Sequence, residues 1–285
     1  MTDVVLLDRF FTRVHLHLVA TYGDTGRWPV IMGVFGRAGD GKSIQLSAAL
    51  ERCSVEPLRL NAADLESGLA GEPGKHIART YATASLALAK GVPTALVLDD
   101  VDTTVGEWEQ NTGTVNHQQV LAELMHLADR PVDPARNFPR RVPVFVTGNN
   151  LSRLYPPLRR HGRMDAFAWR PRPQEVREVL YGMFMDVCDA ASLDRLAEEF
   201  PGEPLSFFAG VRQALTTAEL TELLKLVGHD MRAFLRANGA SFGGDLGRRR
   251  ITGTGLIAVA ERVRAERDAA QEDFLADNHH GGRPR

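Results

Sequence analysis

GRAGDGKS, Gly36 to Ser43, fits the phosphate-binding pattern G-x-x-x-x-G-K-[ST]. It follows an apolar run at Val30–Phe35, which predicts a buried strand, and it precedes a helical run at Ile44–Leu50. Backbone N–H groups must crowd around an anionic polyphosphate in such a loop, so glycines are needed where side chains would block them. The positive end of the following helix dipole points at the same anion.

This loop predicts a nucleotide site with ATP and Mg²⁺ as cofactors. Lys42 is expected to reach the β- and γ-phosphates, and the Ser43 hydroxyl is expected to bind Mg²⁺. The predicted nucleotide-binding residues of the loop are Gly36, Arg37, Ala38, Gly39, Asp40, Gly41, Lys42 and Ser43.

Composition narrows the classes of protein that this chain can be. It has 285 residues, 44% of them hydrophobic, and a formal net charge of −2. Such a balance does not favour bulk attraction to nucleic acid or to an anionic membrane. Two cysteines, Cys53 and Cys188, are too few for a disulfide framework, which fits a reducing cytoplasm. No uninterrupted apolar stretch approaches the roughly 18 residues that a membrane span needs. We therefore predict a cytoplasmic protein with neither a nucleic-acid nor a membrane partner.

Strands and helices alternate in the first part of the chain, which predicts a parallel sheet sandwiched by helices. After RPRP, at Arg170–Pro173, helical patterns dominate, and they predict a small all-helical lid domain. The predicted strands are Val30–Phe35, Leu58–Asn61, Thr94–Leu98, Val142–Thr147 and Ala166–Trp169. The predicted domains are an N-terminal helix and linker packed on the core (1–28), an α/β nucleotide-binding domain (29–171), a helical lid with a partner-recognition segment (172–276) and a disordered tail (277–285).

Two further strands are predicted to end in polar residues of the nucleotide site. In ALVLDDVD, Asp99 is placed to hold Mg²⁺, directly or through water. Asp100 should point to the other face of the strand and could polarise the attacking water. In PVFVTGNN, Asn149 can hydrogen-bond the γ-phosphate or the water, although Gly-Asn also favours a plain turn.

The stretch LYPPLRRHGRMDAFAW resembles the end of this region in AAA+ ATPases, which carry L-x-R-x-G-R-hydrophobic-D. The resemblance implies an AAA+ fold and assigns Arg160 and Arg163 to the arginines that reach into the neighbouring subunit's nucleotide site. Such an arginine stabilises charge in the transition state for phosphoryl transfer. Asp99, Asp100, Asn149, Arg160 and Arg163 are therefore the predicted catalytic residues.

Within AAA+ ATPases, the chain most resembles the green-type Rubisco activases. The most specific stretch is LNAADLESGLAGEPGKHIARTY, Leu60 to Tyr81, and TVNHQQVLAELMHLAD, RVPVFVTGNN and LSFFAGVRQAL also match. The resemblance implies a hexameric ring that hydrolyses ATP and acts on the Rubisco large subunit, so that tightly bound sugar phosphates leave inhibited active sites. It also implies that Arg212 is a nucleotide-sensing arginine of the helical domain and that Leu69, Ala70 and Gly71 form a loop lining the central pore.

Three alternatives stay open at this point. The segment Thr217–Arg250 diverges from the activases, so the client could be another multisubunit enzyme. The run Arg248–Arg250 is the one feature that favours a nucleic-acid motor. The sequence shows no added DNA-binding motif and no broad basic face. Asp100 stands where many motor ATPases have Glu, which would allow slow hydrolysis or a non-hydrolysing scaffold.

Overall fold

We describe the protein from a computed structural model. The structure describes residues 4–23, 26, 28–61, 64, 72–101, 115–227, 230–232, 236 and 249–280. These residues form two compact units, one from Leu6 to Arg170 and one from residue 171 onward together with Val4 and Val5. The division lies within two residues of the predicted boundary between the nucleotide and lid domains. None of the described helices is long and apolar enough to cross a membrane.

The first unit is built on a five-stranded parallel sheet, which confirms the predicted fold class. Its strands lie in the order β2-β3-β4-β1-β5, so β4 separates the strand before the loop from β3. The strands are β1 (Ile31–Phe35), β2 (Glu56–Leu60), β3 (Thr94–Leu98), β4 (Val144–Gly148) and β5 (Met164–Ala168). Every residue of β1, β3 and β4 is buried, as expected for central parallel strands covered on both faces.

Four α-helices accompany the sheet in the described part of this unit, besides two short 3₁₀ helices. They are α1 (Asp8–Tyr22), α2 (Lys42–Arg52), α3 (Glu72–Ala89) and α4 (Val115–Asp129). Helix α3 buries Ile77, Tyr81 and Ala84 in the core of the sheet, and their spacing puts them on one face of the helix. Helix α1 packs against α2, so the N-terminal helix belongs to the nucleotide unit.

The described residues of the second unit are mainly helical, as the sequence predicts. They form α5 (Pro173–Phe184), α6 (Ala190–Glu199), α7 (Leu205–Val227) and α8 (Gly253–His280). These helices share a separate core, which contains Leu180, Phe184, Leu193, Leu196, Phe208 and Leu256. Helix α8 continues to His280, so the predicted disordered tail is wrong for residues 277–280. Residues 281–285 lie outside the described part of the chain.

Candidate nucleotide-binding site

Three polar segments meet at one edge of the sheet. The loop 36–41 follows β1, Asp99 and Asp100 follow β3, and Asn149 follows β4. Because β3, β4 and β1 are adjacent and parallel, their carboxyl ends lie side by side. Ligands of open parallel sheets bind at this edge, where the strand order reverses.

The backbone of the loop is shaped by its glycines. Gly39 has a φ of 81° and Gly41 a φ of 79°, which side-chain-bearing residues rarely adopt. Gly36 meets a different constraint, because a Cβ there would lie 1.9 Å from the carbonyl oxygen of Trp169. The Trp169 backbone N–H donates to Phe35 O at 2.6 Å, and its indole N–H donates to Asp40 O at 2.8 Å. Trp169, directly after β5, thus holds both ends of the loop.

Lys42 and Asn149 converge at the mouth of this loop. The Lys42 ammonium donates to Asn149 Oδ1 at 2.9 Å, to Gly36 O at 2.7 Å and to Arg37 O at 3.1 Å. An ammonium has three N–H donors, so these bonds use all of them. The contact brings two predicted phosphate-binding side chains together. A bound phosphate would replace at least one of the three acceptors.

The acidic pair after β3 is organised by Thr147, the fourth residue of β4. Thr147 Oγ1 donates to Asp99 Oδ1 at 3.1 Å and accepts the Asp100 backbone N–H at 3.0 Å. The strand ends at Leu98, and Asp100 has a φ of 52°. Asp100 therefore does not continue the pleat of the strand, on which the expected direction of its side chain was based, because its backbone is left-handed.

The second oxygen of Asp99 is engaged by a residue that the sequence analysis missed. Arg59, in β2, donates from Nη1 to Asp99 Oδ2 at 2.7 Å and from Nη2 to Ser47 Oγ at 2.8 Å. The Ser47 hydroxyl donates in turn to Ser43 O at 2.6 Å. A guanidinium therefore links the predicted Mg²⁺-binding carboxylate to the first turns of α2.

The donor set at this edge fits Mg²⁺ held together with a nucleotide. Mg²⁺ is usually bound through one or two carboxylates and substrate phosphates, and not by a cage made of protein alone. Asp99 supplies a part-exposed carboxylate and Ser43 a part-exposed hydroxyl at the start of α2. Among the described residues, no group of three or more His, Cys, Asp or Glu side chains could hold a metal ion.

Arg160 and Arg163, the two arginines predicted to reach a neighbouring subunit, have different surroundings. The side chain of Arg160 is exposed. Arg163 forms a two-pronged pair with Asp129, the last residue of α4, with Nε and Nη2 each 2.7 Å from a carboxylate oxygen. Arg163 Nη1 also donates to Pro157 O at 3.2 Å. The Asp129 carboxylate raises the pKa of the Arg163 guanidinium, so this arginine is fully charged.

Arg212 lies in α7 of the second unit, where it pairs with Asp186 at 2.5 Å and packs near the ring of Phe184. The predicted pore-lining residues Leu69, Ala70 and Gly71 lie outside the described residues.

Comparison with known proteins agrees with this geometry. The sequence model of the AAA family, ATPase family associated with various cellular activities, matches residues 32–172. The matched range begins in β1, runs through the loop and both polar strand ends, and closes just after Trp169. Residues 32–172 are therefore an AAA domain. The predicted resemblance to AAA+ ATPases is thereby confirmed.

Among AAA proteins, the chain is similar to ribulose bisphosphate carboxylase/oxygenase activases. It is 34% identical to the one from Anabaena sp. over 78% of this chain and 56% of the relative. It is 34% identical to the chloroplastic one from Spinacia oleracea, over 80% of this chain and 50% of the relative. It is 33% identical to the chloroplastic one from Zea mays, over 88% of this chain and 60% of the relative. The predicted resemblance to these activases is confirmed, and the chain spans about half to three fifths of their length.

Three supporting residues of this AAA site were not found from the sequence. Thr147 could have been predicted, because a buried hydroxyl at the end of an apolar strand needs a hydrogen-bond partner nearby. The sequence indicates a role for Trp169 only weakly, through the place of a large aromatic residue after the last strand. Nothing in the sequence indicates the role of Arg59, because its partners Ser47 and Asp99 are 12 and 40 residues away.

Proposed function

We propose that this chain binds ATP with Mg²⁺ at the loop 36–43, hydrolyses it, and uses the energy to remodel inhibited Rubisco. The observation that carries the ATPase half is the contact of Lys42 with Asn149 at the edge where Asp99 also lies. The client half is supported by the similarity to proteins named ribulose bisphosphate carboxylase/oxygenase activase over about four fifths of this chain.

In the proposed site, each side chain has one task. Lys42 leaves its loop carbonyls to bind the β- and γ-phosphates, and Ser43 and Asp99 hold Mg²⁺. When bound, Mg²⁺ neutralises phosphate charge and orients the phosphates. Asn149 hydrogen-bonds the γ-phosphate or the attacking water, and Asp100 accepts a proton from that water. The water oxygen bonds to the γ-phosphorus as the bond to the β,γ-bridging oxygen breaks, which releases ADP and phosphate.

Completion of this site requires a second copy of the chain. We propose a hexameric ring in which Arg160 and Arg163 reach the nucleotide of the adjacent subunit. Positive charge at the γ-phosphate in the transition state is worth roughly 10³–10⁵ in rate. The two hydrogen bonds to Asp129 already order the guanidinium of Arg163, so it would lose less side-chain entropy on binding a phosphate. Arg212 is proposed to contact the nucleotide from the helical unit, and 69–71 to line the pore.

Recovery of carboxylation tests this proposal. Sugar-phosphate-inhibited Rubisco from the same organism is mixed with the chain and ATP, and carbon fixation is followed with time. We expect recovery with the wild-type chain and none with Lys42→Ala or without ATP. ATP hydrolysis without recovery would overturn Rubisco as the client and favour another multisubunit enzyme. ATP hydrolysis that rises on addition of DNA would instead favour a nucleic-acid motor.

A further inference from the structure

Arg59 places a positive charge beside the carboxylate that is predicted to bind Mg²⁺. It lies in β2, and its guanidinium is 2.7 Å from Asp99 Oδ2. The other oxygen of the same carboxylate accepts from Thr147 at 3.1 Å. In this form both oxygens of Asp99 are engaged, and one is engaged by a full positive charge.

Ser47 fixes the direction of Arg59. Its hydroxyl accepts from Arg59 Nη2 at 2.8 Å and donates to the carbonyl of Ser43 at 2.6 Å. Arg59 is therefore held between α2 and the end of β3, in contact with Asp99 and connected through Ser47 to the backbone of Ser43. The side chains of Arg59 and Asp99 are 35% and 22% exposed, so an ion arriving from solvent could reach the carboxylate.

We propose that Arg59 competes with Mg²⁺ for Asp99 and thereby sets the Mg²⁺ concentration at which this chain binds nucleotide tightly. The inference rests on the proposed nucleotide site and assigns Arg59 as a positioning residue that acts through Asp99. In the absence of Mg²⁺, the guanidinium neutralises the carboxylate. Binding of Mg²⁺ then has to break or loosen the pair of Arg59 with Asp99, and it must also bear the repulsion between two nearby cations.

The sign of the effect follows from Coulomb's law. A fixed positive charge a few ångströms from a divalent cation disfavours the cation, and partial exposure screens that repulsion to a modest value. Removal of the guanidinium leaves Asp99 with its full negative charge. We therefore expect the half-saturating Mg²⁺ concentration to fall roughly three- to tenfold, since a single part-exposed charge is worth about 1 kcal/mol.

A fluorescent nucleotide provides a readout that is independent of turnover. The N-methylanthraniloyl derivative of ADP is bound to the full chain while MgCl₂ is titrated, and the half-saturating Mg²⁺ concentration is measured. Arg59→Met removes the charge and keeps the length of the side chain. Ser47→Ala removes the hydroxyl that orients Arg59 and leaves every charge in place. Arg195→Met is the matched control, because it deletes an arginine of an exposed pair with Glu199 in α6.

We expect Arg59→Met to lower the half-saturating Mg²⁺ concentration roughly three- to tenfold. Ser47→Ala should lower it by a smaller factor, and Arg195→Met should leave it at the wild-type value. If Arg59→Met does not fold, Ser47→Ala alone decides the sign. An unchanged or higher Mg²⁺ requirement in the Arg59 or Ser47 variant would overturn the inference and leave the nucleotide site standing. A wild-type chain that binds no nucleotide at any Mg²⁺ concentration would instead overturn the proposed function.

Discussion

The Lys42 ammonium lies 2.9 Å from the side-chain oxygen of Asn149, and this contact joins the first residue of α2 to the residue after β4. The two residues are 107 positions apart in sequence, and adjacent parallel strands bring them together. A γ-phosphate that displaces the asparagine from the lysine would contact both side chains. In the proposed site, this exchange of partners would link the state of the nucleotide to the end of β4.

Asn149 should matter for hydrolysis more than for binding. We expect Asn149→Ala to bind nucleotide and to hydrolyse ATP at least tenfold more slowly, since loss of one positioned hydrogen bond at a reacting centre costs roughly that or more. Steady-state phosphate release measures turnover, and fluorescent nucleotide binding measures affinity. Asn150→Ala is the matched control. Asn150 accepts from the backbone of Ser152 at the start of a 3₁₀ turn, so its loss should lower stability and spare turnover. Equal turnover in the two variants would contradict the assigned role of Asn149.

Arg163→Ala should affect ATP hydrolysis and not nucleotide binding, because Arg163 is proposed to act on the nucleotide of the adjacent subunit. We expect nucleotide affinity to stay near the wild-type value and turnover to fall by roughly 10³ or more, because charge is lost at the transferred phosphoryl group. Arg13→Ala is the control, since Arg13 in the same unit also pairs with a carboxylate, with Nη2 at 2.8 and 2.9 Å from the two oxygens of Asp165. Normal turnover in Arg163→Ala would sink the shared-site proposal.

A mixture of two inactive variants tests whether sites are completed between subunits. Lys42→Ala keeps the arginines and loses the phosphate contact, whereas Arg163→Ala keeps the phosphate contact. In mixed assemblies, some sites combine Lys42 from one copy with Arg163 from the next. We expect ATP hydrolysis by the mixture to exceed the sum of the separate rates. A rate equal to that sum would argue for sites built within one chain.

His17 predicts how stability depends on pH. Burial lowers its pKa from 6.5 to about 3, and the ring bonds Val30 O and the indole N–H of Trp28 in its neutral form. Between these values the unfolded chain binds a proton that the folded chain does not. Stability contributed by the neutral ring is therefore complete above pH 6.5 and is lost as the pH falls toward 3.

We expect the free energy of unfolding to fall by on the order of 1 kcal/mol per pH unit over this range through His17 alone. Chemical denaturation at a series of pH values measures the slope. His17→Gln, which cannot titrate, should flatten it. His15 lies on the exposed side of α1, so the matched variant His15→Gln should keep the wild-type dependence of the free energy of unfolding on pH. The same slope in all three proteins would contradict the assignment to His17.

Gly36→Ala tests the close approach of the loop to Trp169. The added methyl group would lie 1.9 Å from a backbone carbonyl, which cannot turn away as a flexible side chain could. We expect a loss of about 2 kcal/mol or more in the free energy of unfolding without nucleotide. Gly91→Ala is the control, because Gly91 has a φ of 82° and open space around it, so it should cost only about 1 kcal/mol of backbone strain. A smaller loss for Gly36→Ala than for Gly91→Ala would refute the steric argument.

The local patterns predicted the architecture well because they act over short distances. Apolar runs located β1, β3 and β4 to within two residues, and the loop pattern located the start of α2. The ends of the strands were less accurate than their places in the chain: β2 starts at Glu56 and not at Leu58, and β4 starts at Val144 and not at Val142, an error of two residues in each. The contacts of the candidate site were harder to predict from the sequence, because they join residues that are far apart along the chain. Arg59 and Thr147 both reach Asp99, and only the strand order brings them there. The direction of Asp100 also depends on a single backbone angle that no periodicity encodes.

Calorimetric titration of Mg·ADP into the wild-type chain and into Lys42→Ala tests the nucleotide site most directly. The structure predicts one site per chain in the wild type. It also predicts at least a hundredfold loss of affinity in the variant, on the order of 3 kcal/mol, since a charged hydrogen-bonding contact to phosphate is removed. Equal affinity of the two proteins for Mg·ADP would contradict the placement of the nucleotide on this loop.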